Sequence, residues 1–205
     1  MTFELLVWHE PGAVTREEAA AREPDALEPH PAVGEFVREF GALRPEVRVE
    51  SAGTRYARVR MTPEQVDEIS TEVYALARAH GLVTYDPDRE LVHNLGPRSA
   101  YQGMQLHTGD GMIVVDPDLP LVHDALARLG PGNPFVALVV FGRHFVQVSP
   151  EEGGYELEYK DSGEGVIYRT RVADLAEIQR AFREYATDER DFLERHDWTR
   201  ANGTP

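Results

Sequence analysis

Residues 134–198 constrain the fold more than any other part of the chain. PFVALVVF, HFVQVSP, GGYELEYKD and GVIYRTR are four strand-like runs joined by short glycine-bearing links, and DLAEIQRAFREYA follows with helical spacing. The Gly142-Arg143 pair between the first two runs suits a tight hairpin turn with glycine in front. YELEY alternates strictly, which sets Tyr155, Leu157 and Tyr159 on one face of a strand and Glu156 and Glu158 on the other. In the last run, Leu175, Ile178, Phe182 and Tyr185 recur at three- and four-residue steps, a stripe that a helix must bury. The pattern predicts an antiparallel meander closed by a C-terminal helix.

The first 95 residues read differently. FELLVWH is a short buried strand. Thr15-Arg16-Glu17-Glu18 is a capping box, in which the threonine hydroxyl accepts from the N3 amide while Glu18 reaches back. Pro31 fits the first position of a second helix, with Val33, Phe36, Val37 and Phe40 as its apolar stripe. RYARVRM alternates as a half-buried strand. Thr62-Pro63-Glu64-Gln65 then starts a third helix, Gly81 stops it, and LVTYD is the next strand. A mixed sheet with helices is expected here. GPRSAYQGMQLHTGDG, residues 96–111, holds four glycines and a proline and reads as a connector. The expectation is an α+β chain of two packed subdomains, 1–95 and 112–205, with 96–111 between them and a frayed ANGTP end.

Charge narrows the choice of partner. The net charge is −15, from 21 basic and 36 acidic residues. Up to residue 95 there are 10 basic and 18 acidic residues, and after it 11 and 18, so the acidity is spread over both halves. Such a surface repels nucleic-acid phosphates and speeds encounter with a basic protein. No run reaches the length of a membrane span, no basic segment precedes FELLVW as in a secretory signal, and there is no cysteine for a disulfide. A cytoplasmic location is expected.

Motifs for catalysis are missing: no G-x-S-x-G, H-E-x-x-H, G-x-x-x-x-G-K or G-x-G-x-x-G is present. No cofactor or metal is expected. Two readings remain. In one, Trp8-His9-Glu10 and Tyr85-Asp86-Pro87 end parallel neighbouring strands. His9, Glu10 and Asp86 would then meet at a strand-end edge as a general base or metal site of a small hydrolase or metal-dependent enzyme. In the other, Glu156, Glu158 and Asp161 form an acidic edge that pairs with the basic side chains of a partner, and Trp198 is either a core plug or an interface anchor. His107-Thr108-Gly109-Asp110 reads as a turn that needs Gly and Asp, or as a metal or phosphate loop.

The block GGYELEYKDSGEGVIYRTRVADLAEIQRAFREYA followed by DFLERHDW resembles the C-terminal pattern of many small actinobacterial proteins related to immunity proteins of polymorphic-toxin systems. A Tyr/Glu strand at Tyr155 to Tyr159, a Tyr-Arg strand at Tyr168-Arg169, the helix stripe and the terminal Trp carry the likeness, over about 134–200. VWHE, HPAV and HGLVTYDP resemble an uncharacterised actinobacterial domain. What the resemblance implies is a protein that neutralises a basic toxin, such as a nuclease or deaminase, by occlusion. It assigns no binding residues. The expectation is a protein-binding protein, leaning away from an enzyme.

Overall fold

The computed structural model describes residues 2–93, 95–161 and 163–201, and the chain divides into two compact units, Met1–Gly96 and Pro97–Pro205. Each unit has helices and its own antiparallel sheet, so the chain is α+β. Of the expected frayed end, residues 202–205 lie outside the described residues.

The first unit contains β1 (Phe3–Trp8), α1 (Arg16–Ala20), α2 (Pro31–Leu43), β2 (Arg48–Ser51), β3 (Tyr56–Met61), α3 (Val66–Ala79), β4 (Val83–Asp86) and β5 (Leu91–His93). Its strand order is β2-β3-β1-β4-β5 and every pairing is antiparallel. This corrects the expected mixed sheet. β3 and β4 do run parallel to each other, as a strand–helix–strand pattern requires. β1 lies between them and pairs antiparallel with both, a split β-α-β arrangement.

Local chemistry explains the helix starts. The Thr15 capping box forms with both its bonds, Glu18 N–H to Thr15 Oγ1 at 3.1 Å and Thr15 N–H to Glu18 Oε2 at 2.8 Å. Pro31 opens α2 behind His30, whose Nδ1 accepts from Ala32 N–H. At Thr62 only the back-bond from its N–H to Gln65 Oε1 is present, so Pro63 to Gln65 form a turn and α3 begins at Val66. Val33, Phe36 and Phe40 of α2 and Ile69, Val73 and Ala77 of α3 bury against Leu5, Val7, Ala57 and Val59 on one face of the sheet. On the other face, Val14, Ala19 and Leu27 from the segment after β1 cover Trp8, Val83, Tyr85 and Val92. Both faces of this sheet therefore carry apolar cover.

The second unit contains β6 (Gln105–Thr108), β7 (Ile113–Val115), α4 (Leu119–Ala127), β8 (Val136–Val140), β9 (His144–Glu151), β10 (Gly154–Asp161), β11 (Val166–Val172), α5 (Leu175–Ala186), α6 (Asp191–Arg195) and β12 (Thr199–Arg200). The strands run β12-β11-β10-β9-β8-β6-β7, all antiparallel. The meander of β8 to β11 is the one read from sequence. The stretch 96–111 is not a connector, because β6 lies inside it and pairs with both β8 and β7. Its glycines punctuate the strand. Gly103 and Gly111 turn the chain at φ 76° and 90°. Gly109 passes so close to Pro134 that an added Cβ would lie 2.5 Å from the proline Cδ. The Gly109 amide meanwhile donates to Phe135 O and Asn133 Oδ1, both at 2.8 Å.

A buried histidine makes the first unit acid-sensitive. His93 is 5% exposed, stacks on Tyr74 at 3.7 Å between ring centroids, and among the described residues has no hydrogen-bond partner on either ring nitrogen. Burial, with the Arg78 and Arg89 charges beside it, pushes its pKa down from 6.5 to about 3. The folded chain thus keeps His93 neutral while the unfolded chain takes up a proton. Its contribution is intact above pH 6.5 and is lost as pH falls from there toward 3. His93→Phe should keep the stack and remove this slope. Denaturant unfolding of the two proteins at pH 7 and pH 4 should show a difference in pH dependence on the order of 3 kcal/mol.

Candidate interaction face

The register of the second sheet sorts its side chains into two faces. Leu106, Val114, Val136, Leu138, Val146, Val148 and Leu157 point to one side and are buried. Helix α5 packs on that side against β9, β10 and β11, and α4 packs on α5. Tyr185 of α5 is the centre of the contact. It is fully buried, and its hydroxyl lies 3.1 Å from His144 O and 2.8 Å from His144 Nδ1. One arrangement satisfies both bonds: the phenol donates to the carbonyl and the Nδ1–H donates to the phenol oxygen. Tyr101, Tyr159 and Phe192 surround the ring at centroid distances of 6.4, 6.5 and 6.5 Å, and the Arg190 guanidinium sits 5.3 Å from its centroid. Burial pushes the Tyr185 hydroxyl pKa up and holds His144 below its usual value, so both stay neutral.

Among the described residues the opposite face receives no helix of its own unit, and the residues on it form continuous cross-strand rows. Lys160 stands opposite Ile167 and Phe145, Phe145 opposite Val139, Val139 opposite Gln105, and Gln105 opposite Val115. The next row is Arg169, Glu158, Gln147, Ala137, His107 and Ile113. The face thus has an apolar end on β7, β8 and β9 and a charged end on β10 and β11. Phe141, at the tip of the β8–β9 hairpin, is 66% exposed and reaches the His107 ring at 6.3 Å, and Val115 is 37% exposed. His107 bonds Gln105 through Nε2 at 2.9 Å, and burial lowers its pKa.

Among the residues expected to bind a partner, the structure brings together only Glu156 and Glu158. Both lie on this face, but the acidic row is not free. Arg169 pairs with Glu158 at 2.6 Å, and Arg171 stands opposite Glu156. β11 thus supplies a basic row that offsets the acidic one. Asp161 lies on the helix-covered side of β10, and its carboxylate accepts from Gly163 N–H. Trp198 is also on the helix side, because Thr199 and not Trp198 stands opposite Arg169. Its ring packs edge-on against Phe192 at 6.2 Å. The half-buried tryptophan closes the helix-side core and does not anchor the face that carries the glutamates.

The second expected site does not form. β1 and β4 are antiparallel, with Trp8 opposite Val83 and Leu6 opposite Tyr85, so His9 and Asp86 lie at opposite ends of the pair. His9 stacks on His30 at 3.7 Å, and burial together with the neighbouring imidazole lowers its pKa. Glu10 accepts from Trp8 Nε1 at 2.8 Å and Arg22 Nε at 2.9 Å. Asp86, 2% exposed, accepts from the backbone and guanidinium of Arg89 at 3.0 and 2.9 Å. All three hold the fold. The His107–Asp110 loop is likewise structural, with Asp110 paired to Arg128 at 3.0 Å. Among the described residues no group of three or more His, Asp or Glu is placed to hold a metal ion, and no helix is long and apolar enough to cross a membrane.

Comparison with known proteins adds no identity. No family model, curated protein or solved structure matches the chain.

Sequence reading missed Phe141, Phe145, Val139, Ile113 and Val115 as a surface. The signal was present in PFVALVVF-GR-HFVQV, where apolar residues fill both phases of the alternation and so must face both ways. A double-mutant cycle on Glu158→Ala and Arg169→Ala should give a coupling of less than about 1 kcal/mol in urea unfolding, because the Arg169 side chain is 47% exposed and water screens the pair.

Proposed function

We propose that this protein works by binding another protein on the uncovered face of its second sheet and occluding it, in the manner of an immunity protein that neutralises a basic toxin. One observation carries the reading. Val139 and Phe145 pair across β8 and β9 on a face that the unit's own helices leave free, with exposed Phe141 at the tip of the same hairpin and exposed Val115 beyond Gln105 in the same row. Exposed apolar area of that kind, rimmed by charge, is what protein interfaces present. A partner that covers it removes Phe141 from water and meets the Glu158–Arg169 row at the rim.

Charge supports a basic partner through the field of the whole chain. The net charge of −15 accelerates diffusional encounter with a positive surface, whereas the row on β10 is already offset by Arg169 and Arg171. Steering of this origin is long-range, so it weakens once the Debye length falls to about 10 Å near 0.1 M salt. The short-range part of binding comes from the apolar end.

Affinity purification of the tagged chain from its native cells at low salt tests the proposal. The expected result is one basic protein at near-equal stoichiometry, toxic when expressed alone. Phe141→Asp should lose it, with a fall in affinity of about tenfold or more, while the thermal midpoint of the chain itself stays unchanged. Recovery of the same partner by Phe141→Asp and Val139→Asp alike would overturn the reading. Stopped-flow association should slow with added salt, and a rate unchanged between low and high salt would remove the charge argument.

A further inference from the structure

The first unit carries a conformational device of its own, separate from the interaction face of the second. Residues 10–29 form a strap that leaves the end of β1, crosses the sheet face away from α2 and α3, and returns to the start of α2. Of these residues only Val14 and Ala19 are buried, so the strap is lightly anchored. It nevertheless covers Trp8, Val83, Tyr85 and Val92.

Two histidines mark its ends. His9 precedes the strap and His30 follows it, and their imidazole rings stack with centroids 3.7 Å apart and planes 6° from parallel. The stack therefore closes the strap into a loop. His30 also caps α2: its Nδ1 accepts from Ala32 N–H, and its own amide donates to Thr54 O at 2.8 Å in the β2–β3 turn. An Nδ1 that accepts carries no proton, so the capping form of His30 is the neutral ring protonated at Nε2. Both side chains are half-buried, which leaves the rings within reach of solvent protons.

The geometry opposes charging this pair. A proton on His30 Nδ1 turns the cap's acceptor into a donor aimed at Ala32 N–H, at a helix end that favours negative charge. A second proton, on His9, sets two cations face to face. Glu10, next to His9 in the chain, favours its charge, but that carboxylate is already held by the Trp8 indole at 2.8 Å and by Arg22 at 2.9 Å. Glu23 and Glu28 line the same cleft as His9 and are exposed, where water and salt screen them. The first turn of α2 has no acidic residue, the β2–β3 turn adds Arg55 beside Thr54, and β3 and β4 bring Tyr56 and Val83 opposite Trp8. Burial and the neighbouring imidazole lower the His9 pKa. Its contribution to the closed form is therefore intact above about pH 6.5 and is lost as pH falls below that.

We propose that the His9–His30 stack is an acid-operated clasp, which holds the strap on the sheet while both rings are neutral and releases it when they are protonated. Release bares Trp8, Tyr85 and Val92, so acid opens on the first unit an apolar surface that the strap covers at neutral pH.

Amide hydrogen exchange of the full chain at about pH 7.5 and about pH 5, corrected for the intrinsic rate at each pH, is the test. Glu18, held below its ordinary pKa by its bonds to Thr15, keeps the strap's own capping box charged at the lower pH. The Ala19, Ala21 and Leu27 amides of the strap should lose protection by about tenfold or more in acid, while Val73 and Ala77 of α3 keep theirs. The midpoint of that loss should coincide with the ring titration of His9 followed by NMR, a comparison that needs no variant. His30→Asn supplies a cap acceptor at any pH and should reduce the change in strap protection to about twofold or less. A loss shared equally by Val73 and Ala77 would assign the effect to His93, which stacks on Tyr74 of α3, and would overturn the proposal. So would strap amides unmoved while His9 titrates, or the same loss in His30→Asn.

Discussion

The contact of Tyr185 with the second sheet decides which of its faces is core and which is surface. The phenol is held to His144 through two hydrogen bonds, and the ring is ringed by Tyr101, Tyr159, Phe192 and Arg190. These residues come from the 97–104 segment, β9, β10, α6 and the turn before it, so one side chain ties most of the unit to α5. A nearby backbone bond, Ala100 N–H to Ala186 O at 2.8 Å, continues the tie. Because α5 is fixed on that side, and α4 packs on α5, the helical layer lies on one face alone. Every residue of opposite strand parity is left to be covered by something else or by water.

The two sheets resolve the same problem in different ways. In the first unit the chain after β1 folds back, so that Val14, Ala19 and Leu27 protect Trp8 and Tyr85 on the face away from α2 and α3. Among the described residues the second unit has no equivalent segment, and its free face still carries Phe145, Val139, Ile113 and Ile167 half-buried, and Phe141 exposed. An antiparallel sheet can face water on one side when that side is polar. Only the β10 and β11 end meets that condition, through cross-strand Glu and Arg pairs. The apolar end is the reason for proposing that a partner binds this face.

Most of the fold was legible because it depends on local rules. The Thr15 capping box, Pro31 at a helix start, the YELEY alternation and the α5 stripe each follow from spacing a reader can count. What failed depended on pairing between distant segments. Nothing local shows that β1 inserts between β3 and β4, so the apposition of His9 and Asp86 could not be excluded from sequence. The same holds for β6: four residues between glycines are too short to read as a strand until β8 is found beside them. The candidate site was half legible. YELEY gave the face of Glu156 and Glu158, but the Arg169 and Arg171 row that offsets it depends on the register of β11. The sequence left Trp198 between core plug and interface anchor because its face is set by a two-residue strand, Thr199–Arg200, and its packing on Phe192 makes it the core plug.

The most direct test of the central claim is a methyl NMR titration of the Ile/Leu/Val-labelled chain with the protein that co-purifies with it. The account predicts that the perturbed methyls are Ile113, Val115, Val139 and Ile167, while Leu106, Leu138, Val146 and Val148 beneath the helices keep their shifts. Perturbations centred on α4 and α5, with the methyls of the free face unmoved, would contradict it.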